Sequence, residues 1–208
     1  MVLYSLCLSI NIISILHEKN VVRIVSKICL IPVLLVYYFI KSDDPSLIIM
    51  LALAFSWSGD ILLINPQKIR LYAGVLNFFI AHILYVFVFF VLISDFNILI
   101  FVISLLLILS VEYLILLKIN IPNTHKFPVF IYGIALGLVI VITLQVFVSH
   151  KNIIGILPLI GSVLFFVSDS VLLYFNTIRK MTKNALAFVM LSYGIAQACI
   201  VAGFSFIN

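Results

Sequence analysis

Apolar residues dominate the chain in continuous runs that are separated by short polar breaks. Most runs approach the roughly 20 residues that a helix needs to cross a bilayer. The breaks, at 17–20, 41–45, 65–68, 94–97, 118–126, 150–152 and 177–184, are rich in Asn, Asp, Ser, Lys and Pro. We therefore predict an all-α, polytopic bundle of eight transmembrane helices, the first of them short. The predicted spans are residues 2–16, 21–40, 46–64, 70–93, 97–117, 127–148, 153–176 and 185–207.

The composition supports a membrane location. Hydrophobic residues make up 65% of the 208 residues and charged residues only 9%, whereas a soluble domain has about 25% charged residues. Mean hydropathy is +1.37. We predict that residues 1–208 form a single integral membrane domain. Because the start of the chain lacks a basic region, we interpret it as a first span rather than a cleaved signal.

The net charge of +5 reflects topology and does not require a nucleic-acid partner. Loops after odd-numbered spans, with their flanks, hold ten of the twelve Lys and Arg residues, and the other loops hold only Lys41 and Lys151. The positive-inside rule then predicts cytoplasmic odd-numbered loops and both termini outside the cytoplasm. We expect a multi-pass protein of a bacterial inner membrane, surrounded by membrane lipids, and the sequence leaves its oligomeric state open.

Three of the seven acidic residues lie inside predicted spans. An acid there costs about 2.5–3.5 kcal/mol on insertion scales, so it usually faces a cavity or a partner. Asp60 and Asp169 each follow a Ser and precede an apolar pair, four spans apart. These matched contexts suggest a four-plus-four parallel repeat. Glu112 has no matching context, and we interpret it as having a structural or partner role.

Further polar side chains occur at comparable depth in the even-numbered spans. A lone acid is about as often a structural hydrogen-bond hub as a functional group, and a lone His is more often a satisfied core residue. With one His in a span and no paired Cys spacing, we predict no metal or other cofactor. The polar side chains of the even-numbered spans could converge with the two aspartates on one water-filled cleft. They are Lys27, Asn77, His82, Tyr85, Tyr132, Tyr193 and Gln197.

Several functions fit these residues alone. An enzyme, or a proton-coupled transporter or lipid-binding membrane protein, would use intramembrane acids equally well. A structural or assembly subunit without chemistry would need them only for stability. The residues by themselves rank the enzyme and the transporter about equal.

Four segments in chain order resemble the pattern of one protein family, which has Gly-Asp-x-x-Leu, Ala-His-x-x-Tyr, Leu-Phe-x-x-Ser-Asp, and then Tyr with Gln four residues on. Here they are Ser-Trp-Ser-Gly-Asp-Ile-Leu-Leu (56–63), Phe-Ile-Ala-His-Ile-Leu-Tyr (79–85), Gly-Ser-Val-Leu-Phe-Phe-Val-Ser-Asp-Ser-Val-Leu-Leu (161–173) and Ser-Tyr-Gly-Ile-Ala-Gln (192–197). On these motifs the chain resembles the YhhN-like lysoplasmalogenases. It departs from the family in the second helix, where Lys27 and Pro32 are further apart than the usual Lys and Pro.

The resemblance implies an eight-helix membrane enzyme that cleaves the vinyl ether bond of lysoplasmalogens. The products are a fatty aldehyde and glycerophosphoethanolamine or glycerophosphocholine. We hypothesise metal-free acid–base catalysis by Asp60 and Asp169, one protonated and one ionised, as in glycoside hydrolysis. Which of the two is the acid stays open. His82, Tyr85, Tyr193 and Gln197 would orient water, the ether oxygen or the phosphate, and Lys27 would meet the phosphate charge.

Overall fold

A computed structural model describes residues 1–64, 67–119, 123–177 and 179–205. Within these ranges the chain forms eight α-helices and no strand, which confirms the predicted helical membrane bundle. Parts of the predicted breaks at 65–68, 118–126 and 177–184, and the last residues of the predicted eighth span, lie outside the described residues. The helices are α1 (Val2–Leu16), α2 (Asn20–Lys41), α3 (Leu47–Leu62), α4 (Lys68–Val91), α5 (Ile98–Lys118), α6 (Asn123–His150), α7 (Ile153–Thr177) and α8 (Lys183–Ser205).

The helix lengths identify a multi-pass membrane protein. Six helices in the described ranges, all but α1 and α3, are long and apolar enough to cross a membrane. The 15 residues of α1 and the 16 of α3 extend only about 22–24 Å at 1.5 Å per residue. That is less than the roughly 30 Å of a hydrocarbon core. Because α3 ends at Leu62, Asp60 lies in its last turn, near one end of the bundle.

The bundle is built around α8, which packs against α7, α1 and α2. Its contact with α7 is close because position 161 is glycine: a Cβ there would lie 2.8 Å from the backbone oxygen of Ala196. The most peripheral helix is α5, whose extensive contacts are with α6. No extensive backbone contact joins α4 and α5 among the described residues.

Helix pairs recur between the two halves of the chain. Helices four apart in the chain make matching contacts. The contact of α1 with α2 matches that of α5 with α6, α3/α4 matches α7/α8, α2/α3 matches α6/α7, and α2/α8 matches α6/α4. The contact of α1 with α8 has no extensive counterpart between α5 and α4 in the described part of the chain. The four-plus-four repeat stays a prediction.

Candidate functional site

A cavity of about 600 Å³ lies inside the bundle and is lined by every helix except α1. It is near the end of the bundle where α2 begins and α3 ends. Leucine, isoleucine, valine and aromatic side chains form most of its wall. The polar part of the wall consists of Lys27, Asp60, Tyr72, Glu112, Tyr132, Ser168, Asp169, Ser170 and Tyr193.

Asp60 is held by a cation and a hydroxyl donor. The ammonium nitrogen of Lys27 on α2 lies 3.2 Å from Asp60 Oδ1. The hydroxyl of Tyr193 on α8 donates a 2.6 Å hydrogen bond to Asp60 Oδ2. Since Asp60 is only 2% exposed, an ionised carboxylate there needs such partners. Both oxygens of the carboxylate are therefore occupied by groups that favour its charged form.

Asp169 has a different environment in the same cavity. The hydroxyl of Tyr132 on α6 donates a hydrogen bond to Asp169 Oδ2. No ion pair found in the described part of the chain includes Asp169. Its carboxyl group nevertheless lies within electrostatic range of both Asp60 and Lys27. The two aspartates thus differ in their partners, because Asp60 has a cation and a phenol beside it and Asp169 has a phenol.

Behind Tyr193 lies a short chain of buried polar groups. The hydroxyl of Tyr85 donates to Gln197 Oε1 at 2.8 Å, and Gln197 Nε2 lies 3.5 Å from the hydroxyl of Tyr193. Neither Tyr85 nor Gln197 lines the cavity. These two predicted site residues therefore connect to Asp60 through Tyr193.

The structure does not bring His82 or Asn77 to the cavity wall. His82 lies one turn beyond the lining residue Phe78, with Nδ1 2.6 Å from the Phe78 carbonyl oxygen and Nε2 buried without a partner. The imidazole ring of His82 packs against the ring of Tyr132, with 5.9 Å between the ring centroids. Asn77 is on another face of α4, where its amide oxygen accepts a hydrogen bond from Ser58 of α3. Helical rotation of about 100° per residue explains why Asn77 and Phe78 face different neighbours.

Glu112, for which we expected a structural or partner role, lies on the cavity wall. It is 6% exposed, and its Oε2 atom is buried without a hydrogen-bond partner among the described residues. Its carboxyl group fits because position 133 on α6 is glycine; a Cβ there would overlap Glu112 Oε1. The sequence identifies Glu112 as an intramembrane acid, but no motif spacing indicates that it faces this cavity.

The described residues contain no group of three His, Cys, Asp or Glu side chains placed to hold a metal ion. The cysteines Cys7, Cys29 and Cys199 are free. The predicted absence of a cofactor stays a prediction.

Most of the chain matches one known protein family. The model of the YhhN family matches residues 22–204. This chain belongs to the YhhN family. The matched region contains α3, α4, α5, α6 and α7 and every residue that lines the cavity. The family match therefore covers the whole candidate site of this YhhN protein. No curated protein and no solved structure matched the chain.

Proposed function

We propose that this YhhN-family protein hydrolyses the vinyl ether bond of a lysoplasmalogen to give a fatty aldehyde and glycerophosphoethanolamine or glycerophosphocholine. The observation that carries the proposal is that Asp60 and Asp169 line one cavity in different electrostatic environments. Pairs of carboxyl groups in unlike environments divide the acid and base roles between them. The reaction needs that division, because it protonates a carbon and adds water.

Asp169 is the proton donor in this mechanism. It has no ion-pair partner in the described part of the chain, so its neutral, protonated form is the less costly one in an apolar cavity. Its proton passes to the β-carbon of the vinyl ether, and the electrons of the double bond form the new C–H bond. The carbon attached to the ether oxygen becomes an oxocarbenium ion. The Tyr132 hydroxyl holds the carboxyl group in position during this step.

Asp60 is the carboxylate that completes the reaction. Lys27 and Tyr193 keep it ionised, so it stabilises the oxocarbenium ion and accepts a proton from the water that adds to that carbon. The resulting hemiacetal then loses its bond to the glycerol oxygen. That oxygen takes the proton that Asp60 accepted from water, and the hemiacetal hydroxyl gives its proton to Asp169, so both carboxyl groups return to their starting forms. One water is consumed, and an aldehyde and an alcohol are released.

The shape of the cavity suits a single-chain lipid. Its apolar wall accepts the alkenyl chain of a lipid that enters from the bilayer. The phosphate lies toward Lys27, which also lines a neighbouring cavity of about 280 Å³. We further propose that the site is in the cytoplasmic half of a bacterial inner membrane, with both chain termini outside the cytoplasm, as the basic loops predict.

An aldehyde-release assay tests the proposal. Purified protein is incubated with lysoplasmenylethanolamine, with the matching ester lysophospholipid, and with the first substrate plus a chelator. We expect equal amounts of aldehyde and glycerophosphoethanolamine from the vinyl ether lipid, none from the ester, and no effect of the chelator. Lipid flux driven by a pH gradient in liposomes, without aldehyde, would instead identify a transporter and overturn the proposal.

A further inference from the structure

The cavity contains a third carboxyl group that the proposed reaction does not use. Glu112 is more than nine-tenths buried, and it lines the cavity with Oε2 lacking a hydrogen-bond partner. Burying a carboxyl group in a membrane span is costly, so such residues pair with another group or mark a ligand path. Asp60 and Asp169 both have hydrogen-bond partners within the protein, whereas Glu112 Oε2 has none among the described residues.

The charge of the cavity wall indicates what that partner is. The described wall of the cavity holds three acids and one lysine. With Asp169 protonated, as the proposed reaction requires, and with Asp60 and Glu112 ionised, these groups carry a net charge of −1. Lys27 pairs with Asp60, and no ion pair in the described part of the chain includes Glu112. The side of the cavity formed by α5 and α6 is therefore complementary to a positive charge.

The neighbouring aromatic rings suit a particular kind of cation. Tyr72 and Tyr132 line the same cavity, and Tyr132 precedes the glycine against which Glu112 packs. Tyrosine faces attract ammonium groups, and the attraction is strongest for groups that shed water easily, such as substituted ammonium. A carboxylate with nearby tyrosine rings is a suitable receptor for the amine of a zwitterionic lipid head group.

We propose that Glu112 binds the ammonium group of ethanolamine or choline in the substrate head group, and that it makes the protein selective for amine-bearing lysophospholipids. This inference rests on the proposed function for the identity of the substrate. With the phosphate toward Lys27 on α2 and the amine at Glu112 on α5, each charge of the head group meets an opposite charge on the cavity wall. A head group without an amine, such as phosphoglycerol, leaves Glu112 unpaired.

Binding of uncleavable ligands tests this inference without requiring turnover. The ligands are short-chain saturated ether lysophospholipids with a phosphoethanolamine or a phosphoglycerol head group, titrated calorimetrically into purified protein. We expect the wild type to bind the phosphoethanolamine ligand at least tenfold more tightly. In Glu112→Gln the preference falls below twofold, because the amide carries no charge, while affinity for the phosphoglycerol ligand stays unchanged.

Two further variants keep the test decisive. Glu112→Asp keeps the charge and retains part of the preference, whereas Gly133→Ala displaces the Glu112 carboxyl group and loses the preference without removing an acid. Glu18→Gln, which changes an exposed acid, serves as the control. Equal weakening of both ligands in Glu112→Gln, or no change in either, would overturn the inference. A wild type that shows the preference but releases no aldehyde would instead refute the proposed reaction alone.

Discussion

Replacing Lys27 with methionine tests whether the charge of Asp60 depends on its partner. Methionine keeps a side chain of similar length and removes the one cation that contacts Asp60 in the described part of the chain. The variant leaves a carboxylate that is 2% exposed with only the hydroxyl of Tyr193 as a donor. Removing one member of a buried ion pair is costly because the other stays buried without compensation.

The size of the effect follows from the geometry. At the 3.2 Å separation of the two charged atoms, Coulomb attraction at an effective dielectric constant of 20 is about 5 kcal/mol. The Lys27 side chain is 19% exposed, so water screens part of this attraction. We therefore expect a loss of about 3 kcal/mol, the lower end of the range for broken buried pairs. For a chain of this length, that loss corresponds to a fall in Tm of roughly 6–12 °C.

Thermal unfolding in detergent, followed by circular dichroism, measures this loss. The double variant Lys27→Met with Asp60→Asn removes both charges, and we expect it to recover at least half of the fall in Tm. Lys183→Met is the control, since its pair with Glu18 at 3.4 Å is solvent-exposed and contributes little. A Tm for Lys27→Met within 2 °C of wild type, or strict additivity in the double variant, would refute our account of the pair.

Three other predictions address the second carboxyl group, the helix packing and the order of chemical steps. Tyr132→Phe removes the hydrogen bond to Asp169, so kcat should fall about ten- to a hundredfold, whereas the loss of about 1 kcal/mol should lower Tm by only about 2–4 °C. An undiminished kcat would contradict the role of that bond. Gly161→Ala puts a Cβ against the Ala196 carbonyl oxygen and should lower the free energy of unfolding by about 1–3 kcal/mol, measured as a lower Tm. An unchanged Tm would show that α7 and α8 separate freely. Hydrolysis in D₂O with rapid trapping of the aldehyde should place one deuterium on its α-carbon, as mass spectrometry would detect, and an unlabelled product would exclude protonation of that carbon.

The helices could be predicted closely from the sequence because continuous apolar runs and polar breaks determine where a chain can cross a membrane. The largest difference is at α6, which begins at Asn123 although the prediction placed its start at 127. The prediction assigns the polar residues before Pro128 to a loop. Polar residues are nevertheless common in the first turn of a helix outside the hydrocarbon core.

The composition of the cavity could be predicted only in part. Depth in the apolar spans predicts five residues that line the cavity: Lys27, Asp60, Tyr132, Asp169 and Tyr193. Depth does not determine the direction of a side chain, which depends on how each helix is rotated against its neighbours. For that reason the sequence did not separate residues on the wall from those behind it.

Rotation also explains why the sequence does not place Glu112 on the cavity wall. Glu112 turns inward on a helix that is mostly exposed in the bundle, and the space it occupies depends on a glycine in the next helix. A single sequence without packing information contains no signal for that pairing. The family match over residues 22–204 supports the overall pattern of motifs and does not by itself assign a role to Glu112.

The most direct test of the central claim is lysoplasmalogen turnover by purified Asp60→Asn and Asp169→Asn, measured beside wild type with Tm as the check on folding. If these two carboxyl groups supply the acid and the base, each variant loses at least about a hundredfold in kcat, the scale of general acid–base catalysis. Near-wild-type aldehyde release by either folded variant would contradict the mechanism.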